Sequence, residues 1–319
     1  MELKVDRRAA VKKLRTLVIT SKSEVEPFRK KIEDTFKTVF LPNRVELNEH
    51  DYGGIKCDVL VPEVYSSKRT MIYIHGGSFC GGSRESWRGF CASLAHASST
   101  RVIVPEFRLP PTFAYPAGLE DIQTVFRLVY AEEQISLQIE DPNAQPEIIL
   151  ASDGTGCSLA VSLLLKLREK YRKCVKNLVL LSPCLDFSND NELIYPKKQS
   201  DEVMSGDSLH RCVDLYTYAS NFENPLISPL KAVAENYVGF PHVYIQMGEK
   251  EILKAHANSL IKLLEEADVT YTYDVWPKMM FMFQMADEYL EESHLAIEKL
   301  GKFLRSGDDE RTNHLSDPE

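Results

Sequence analysis

Between residues 69 and 306, short apolar runs alternate with longer segments whose apolar residues recur every three or four positions. RTMIYIHGG (69–77), TRVIVPEF (100–107), EIILA (147–151), KNLVLLSP (176–183), HVYIQMG (242–248) and TYTYDVW (270–276) have the length of strands. Segments 117–134, 156–173, 254–267 and 289–306 have helical spacing; in the first, Leu119, Ile122, Val125, Phe126 and Val129 share one side. A strand that is apolar along its whole length must be covered on both faces, and repeated strand–helix units supply that cover. The pattern predicts an α/β chain with a mainly parallel sheet, joined by right-handed crossovers.

Both ends and one interior stretch break the pattern. Residues 1–40 carry Leu14, Leu17, Val18, Phe28, Ile32 and Phe36 among charges, which predicts two amphipathic helices broken near Ser21–Pro27. Residues 44–63 alternate around Gly53-Gly54 and predict a β-hairpin. Stretch 186–240, rich in polar and aromatic residues, reads as an insertion outside the sheet. Together with 1–40 it is expected to cap a main domain spanning 41–305. The tail 306–319 is charged, nearly free of apolar residues, and expected to be disordered.

At 319 residues the chain can bury a large core. Its formal net charge of −9 argues against nucleic acid as the main partner, because a phosphate-reading surface is basic. Two basic stretches, 4–15 and 166–176, read as solvated helix faces. The seven cysteines include no C-x-x-C pair and no zinc-like spacing, so they read as buried apolar thiols in a reducing compartment. No metal and no cofactor are expected. The sequence shows no signal-peptide core and no apolar segment of membrane-span length. Early Arg and Lys residues suit a mitochondrial presequence, but Glu2 and Asp6 count against one, and the expected location is cytoplasmic.

IILASDGTGCSLA (148–160) reads as a strand, a sharp turn and a helix. Its centre, Ser152-Asp153-Gly154-Thr155-Gly156, has the rhythm of the G-x-S-x-G turn that presents a catalytic serine, with glycine in the serine's place. Further segments accompany it: YIHGGSFCGGS (73–83), VPEFRLPPTFAYPAGLED (104–121), LLSPCLD (180–186), NPLISPL (224–230), MGEKEIL (247–253) and WPKMMFMFQM (276–285). In this order they resemble the α/β-hydrolase family, in particular its hormone-sensitive-lipase-like esterases. That branch includes acetyl esterases, arylacetamide deacetylases and the gibberellin receptor. The resemblance covers about residues 40–305 and implies the α/β-hydrolase fold with a helical cap.

The resemblance also assigns roles. It turns the backbone N–H groups of Gly76, Gly77 and Thr155 towards an oxyanion, and places the triad acid at Glu251. Glu106 and Phe107 stand where the family has Asp and Tyr. Gly154 stands at the nucleophile position and Phe281 at the histidine position. Acyl transfer needs a serine oxygen and a base to take its proton; Gly154 has no side chain and Phe281 accepts no proton. Glycine suits a left-handed elbow, a conformation that costs serine on the order of 1–3 kcal/mol.

These substitutions imply a noncatalytic member of the family. Its pocket, lined by Gly76, Gly77, Ser78, Phe79, Asp153, Gly154, Thr155 and Phe281, would bind a small apolar or carboxylate-bearing ligand under the cap. Two alternatives stay open. One is a carboxylic-ester hydrolase with relocated groups; the other is a scaffold or dimer subunit whose pocket is filled by Phe281 and Met279, Met280, Met282 and Met285. A homo-oligomer is left open too. Among possible rescuers, Ser152 should point into the sheet or the following helix, and the Thr155 hydroxyl lacks a base. His75 is expected to be a structural hydrogen-bonder, His256 a helix-surface or interhelix residue, and His242 and His294 core or surface residues. Cys157 reads as an inert buried thiol, and Glu251 as a solvated or locally hydrogen-bonded acid.

Overall fold

The computed structural model describes residues 6–37, 41, 44–65, 69–141, 143–188 and 201–306. Among these residues the apolar runs form β3 (Arg69–Ile74), β4 (Arg101–Pro105), β5 (Glu147–Asp153), β6 (Val175–Leu181), β7 (His242–Gly248) and β8 (Tyr271–Trp276). The hairpin supplies β1 (Val45–Asp51) and β2 (Lys56–Pro62). All join one sheet in the order β1-β2-β4-β3-β5-β6-β7-β8. β2 pairs antiparallel with β1 and β4, and every pair from β4 to β8 is parallel. Burial follows position: β7 is buried along its length, whereas β1, at the edge, is exposed and carries Glu46, Asn48, Glu49 and Asp51. Charges on an edge strand discourage pairing with another chain.

Helices α1 (Arg7–Leu14) and α2 (Val25–Phe36) form near the start. The break between them runs from Val18 to Glu24, and Pro27 lies inside the first turn of α2 rather than in the break. A proline costs little there, because that turn's N–H groups have no helical acceptor. α3 (Arg84–Ser98), packed against β2 and β4, escapes the periodicity reading. Its buried side includes Ser86, Cys91, Ala92, Ala95 and Ser98, residues too small or polar to register as an apolar stripe. The signal that marks it is the capping box, in which Ser83 Oγ accepts from the Ser86 amide and Ser86 Oγ from the Ser83 amide.

The remaining helices are α4 (Ala117–Glu140), α5 (Gly156–Lys166), α6 (Glu169–Arg172), α7 (Gly206–Tyr216), α8 (Lys254–Glu266) and α9 (Glu291–Arg305). The single helix expected over 156–173 is divided, because Leu167 is extended (φ −68°, ψ 135°) and packs into the core before the chain enters β6. α7 lies in the expected insertion. Residues 38–40 of the N-terminal segment, 189–200 of the insertion and the tail 307–319 lie outside the described residues.

Gly156 decides how tightly α5 sits on the sheet. A Cβ there would collide with the carbonyl oxygens of Ile74 and His75. Gly156→Ala is therefore expected to push the helix from β3 and cost about 1–3 kcal/mol, read as a lower midpoint in urea unfolding.

Candidate functional site

β5 ends in a tight turn that presents Gly154 with φ +49°, in the left-handed region. Its N–H donates to Leu181 O at 3.0 Å, and its carbonyl accepts from Cys184 N at 3.0 Å, so the apex is fixed from both sides. The Phe281 ring lies directly over it. A Cβ added to Gly154 would sit 3.3 Å from Phe281 Cζ. The apex of the turn is bare backbone, and what faces it is an aromatic ring.

The loop after β3 bears on this apex only in part. The Gly76 N–H, expected to face the centre, donates instead to Asp153 Oδ1 at 3.0 Å. Tyr73 Oη and Trp87 Nε1 donate to the same oxygen at 2.9 and 2.8 Å. The Asp153 carboxyl is thus a structural acceptor beneath the loop, not a group aimed at a ligand. Burial raises its pKa to about 7, against the lowering effect of the three donors. Phe79, expected in the cleft wall, stacks on Tyr216 of α7 with centroids 3.9 Å apart, and its N–H donates to Thr155 Oγ1 at 2.9 Å. That bond ties the threonine hydroxyl to the loop.

The acid is also turned inward. Glu251 is buried, which overturns the solvated alternative; its Oε1 accepts from Ser182 Oγ at 2.8 Å and from Gly248 N at 2.5 Å. Ser182 Oγ in turn accepts from Met282 N at 3.1 Å, so the acid holds the backbone of the turn that carries Phe281. Burial first, then the nearby Asp201, push the Glu251 pKa well above the usual carboxylate range.

The N-terminal segment closes what remains. Ser78 Oγ donates to Leu17 O and accepts from Ile19 N, each at 3.1 Å. Ser78 has φ +56°, a strained conformation for a residue with a side chain, and these bonds hold it there. Leu17, Val18, Met204, Leu209 and Phe281 then fill the space above Gly77, Gly154 and Thr155. The cavity left is about 10 Å³, room for about one water. The filling comes from Phe281 and from residues of the N-terminal segment and of stretch 186–240; Met279, Met280 and Met282 pack in the core, and Met285 borders a groove on another face. Leu17 and Val18 were legible only as apolar positions of the N-terminal segment, and Met204 and Leu209 carry no motif that would have marked them.

Among the described residues no histidine borders this cavity. His75 Nδ1 lies 3.0 Å from Gly76 O, its ring stacks on Phe107, and burial lowers its pKa to about 4. His256 is buried rather than on a helix surface, and its Nδ1 accepts from Leu185 N at 3.2 Å. His242 is buried between the Thr270 and Thr272 hydroxyls, and exposed His294 pairs with Glu298. Ser152 Oγ donates within the sheet, to Val179 O at 3.3 Å. Burial raises the thiol pKa of Cys157, and that of Cys212 on the cavity wall, keeping both protonated.

Sheet order, glycine elbow and glycine loop together are diagnostic, and residues 71–285 match the family described by the alpha/beta hydrolase fold. The chain belongs to the α/β-hydrolase family. This α/β-hydrolase is 29% identical over 238 residues to an acetyl-hydrolase of Streptomyces hygroscopicus, covering 75% of this chain and 76% of that one. It is 27% identical over 244 residues to an esterase of Acinetobacter venetianus, covering 76% and 77%. Its structure is similar to that of an esterase from the bacterial hormone-sensitive lipase family, with a TM-score of 0.81, 25% identity, and coverage of 93% and 96%. Among the described residues no helix is long and apolar enough to cross a membrane.

Asp153 gives this site a pH signature. Held near pH 7 in the folded α/β-hydrolase and titrating at about 4 when unfolded, it binds its proton more tightly folded. Its contribution is therefore full below about pH 4 and lost as the pH rises to about 7. Asp153→Asn removes that dependence. The stability of the native sequence relative to the variant is expected to fall by up to about 4 kcal/mol between those pH values, in urea titrations at each. A difference independent of pH would mean that the Asp153 carboxyl titrates in the folded state as it does in the unfolded one.

Proposed function

We propose that this α/β-hydrolase is a noncatalytic member of the esterase branch. The observation that carries the reading is Phe281 packed over the bare Gly154 turn. Neither a hydroxyl at the apex nor a base opposite it is present, and Glu251 is bonded to Ser182 instead of a histidine. In a serine protease, losing the nucleophile or the base alone removes roughly 10⁶-fold of turnover, and backbone donors retain only about 10³-fold over water. A cavity of about 10 Å³ favours the form in which the cleft is packed shut. Binding a small apolar or carboxylate-bearing ligand would require the Leu17–Ile19 segment to lift from Ser78.

The second reading, a carboxylic-ester hydrolase with a non-standard site, is favoured by the relatives, which are named as an acetyl-hydrolase and an esterase. The two readings part on turnover. Purified protein is expected to leave p-nitrophenyl acetate and butyrate at the buffer rate and to escape a fluorophosphonate probe. Turnover that disappears in Thr155→Val or Cys212→Ala would instead establish the hydrolase.

Reversal probes how much of the site survives. Gly154→Ser alone should lower stability by about 1–3 kcal/mol through backbone strain and the Phe281 contact. Combined with Phe281→His, it is expected to bring p-nitrophenyl acetate hydrolysis above background. No gain in a folded double variant would show that the cleft has moved beyond repair by those two groups.

A further inference from the structure

An open groove of about 670 Å³ lies along α1 and α2. Arg7, Arg8, Lys12, Arg15 and Lys31 border it, with Val11 as an apolar strip and Glu202 at its edge. So many cations on one concave surface stand out in a chain of net charge −9. A solvated helix face needs no such concavity.

The groove already holds one carboxylate. Arg7 Nε and Nη2 lie 2.9 and 2.6 Å from Glu202 Oε2, and Arg15 Nε donates to the Glu202 carbonyl at 2.8 Å. Arg8, Lys12 and Lys31 are exposed, and among the described residues no carboxylate lies within ion-pair distance of them. Like charges gathered without a counter-charge repel one another, and an anionic occupant relieves that repulsion.

The occupant's class follows from what the surface lacks. A helix that lies on a lipid surface exposes large apolar residues beside its cations. Here Ala10, Leu14, Phe28, Ile32 and Phe36 are all buried, and among the described residues the exposed large apolar side chains lie elsewhere. Duplex nucleic acid calls for a broad basic footprint, which an acidic chain with one basic groove does not offer. We propose that this groove binds an acidic polypeptide segment of a protein partner, its carboxylates against Arg8, Lys12 and Lys31 and a small apolar side chain against Val11. The binding is independent of the state of the cleft over Gly154.

Fluorescence anisotropy with a fluorescein-labelled glutamate–alanine peptide tests this on the full chain. Saturable binding at low ionic strength is expected, weakening as salt is raised. Arg8→Gln, Lys12→Gln and Lys31→Gln together should lower the affinity about 10-fold or more. The same charge change at Lys166, Arg168 and Lys176, the other basic stretch, should alter it by less than about 2-fold. Among the described residues the three groove residues make no ion pair, so the thermal midpoint of that variant should stay near the native one. An absence of saturable binding, or equal loss in both variants, would overturn the proposal. So would tighter binding of phosphatidylserine vesicles or duplex DNA than of the peptide, lost in the groove variant.

Discussion

The close approach of the Phe281 ring to the backbone of Gly154 organises this molecule's centre. A residue without a side chain takes the left-handed apex free of strain and leaves room for the ring, and an apolar ring gains from lying there. Each position makes the other tolerable. A glycine apex under an imidazole would leave a polar ring facing a cavity about one water across. A serine apex under phenylalanine would combine backbone strain with a crowded side chain.

Most polar groups around the apex have found partners within the protein, whereas Glu251 Oε2 and Tyr216 Oη are buried with no hydrogen-bond partner among the described residues. Asp153 gathers three donors from the strand, the loop and α3, and Thr155 accepts the Phe79 amide. Ser78 grips the N-terminal segment, while Glu251 and Ser182 hold the Phe281 turn. A site prepared for substrate keeps donors and acceptors facing outward, in reserve for the reacting atoms. The inward direction of these bonds is why the proposed reading treats this centre as packing rather than chemistry. The scaffold is nevertheless that of the esterases it resembles, since sheet order and crossovers depend on buried apolar runs that these substitutions leave untouched.

Much of the architecture is legible in the residues because burial imposes it locally. The runs that became β3, β5, β6 and β7 are apolar along their length, and their boundaries fall within a few residues of the expected ones. α3 was not legible, since apart from Trp87 and Leu94 its buried side is made of small and polar residues, and the split between α5 and α6 depends on where Leu167 finds its pocket. At the site, the flanking motifs set a frame that puts Gly154 and Phe281 together, and the structure brings these two residues into contact. The direction of each hydrogen bond could not be read from the residues. Gly76 and Phe79 sit in the expected loop, yet one donates beneath it and the other stacks on α7, because Asp153 and Tyr216 arrive from distant parts of the chain.

The sequence by itself determined the alternating parallel sheet, the glycine elbow and the identity of the residues facing it. Periodicity, turn chemistry and side-chain functional groups are properties of neighbours along the chain. Tertiary structure alone decided that the cleft is closed, that Leu17, Val18, Met204 and Leu209 close it, and that α1 and α2 gather their cations around a groove. Those outcomes depend on volumes and distances between segments far apart in sequence, which become fixed only when the whole core packs.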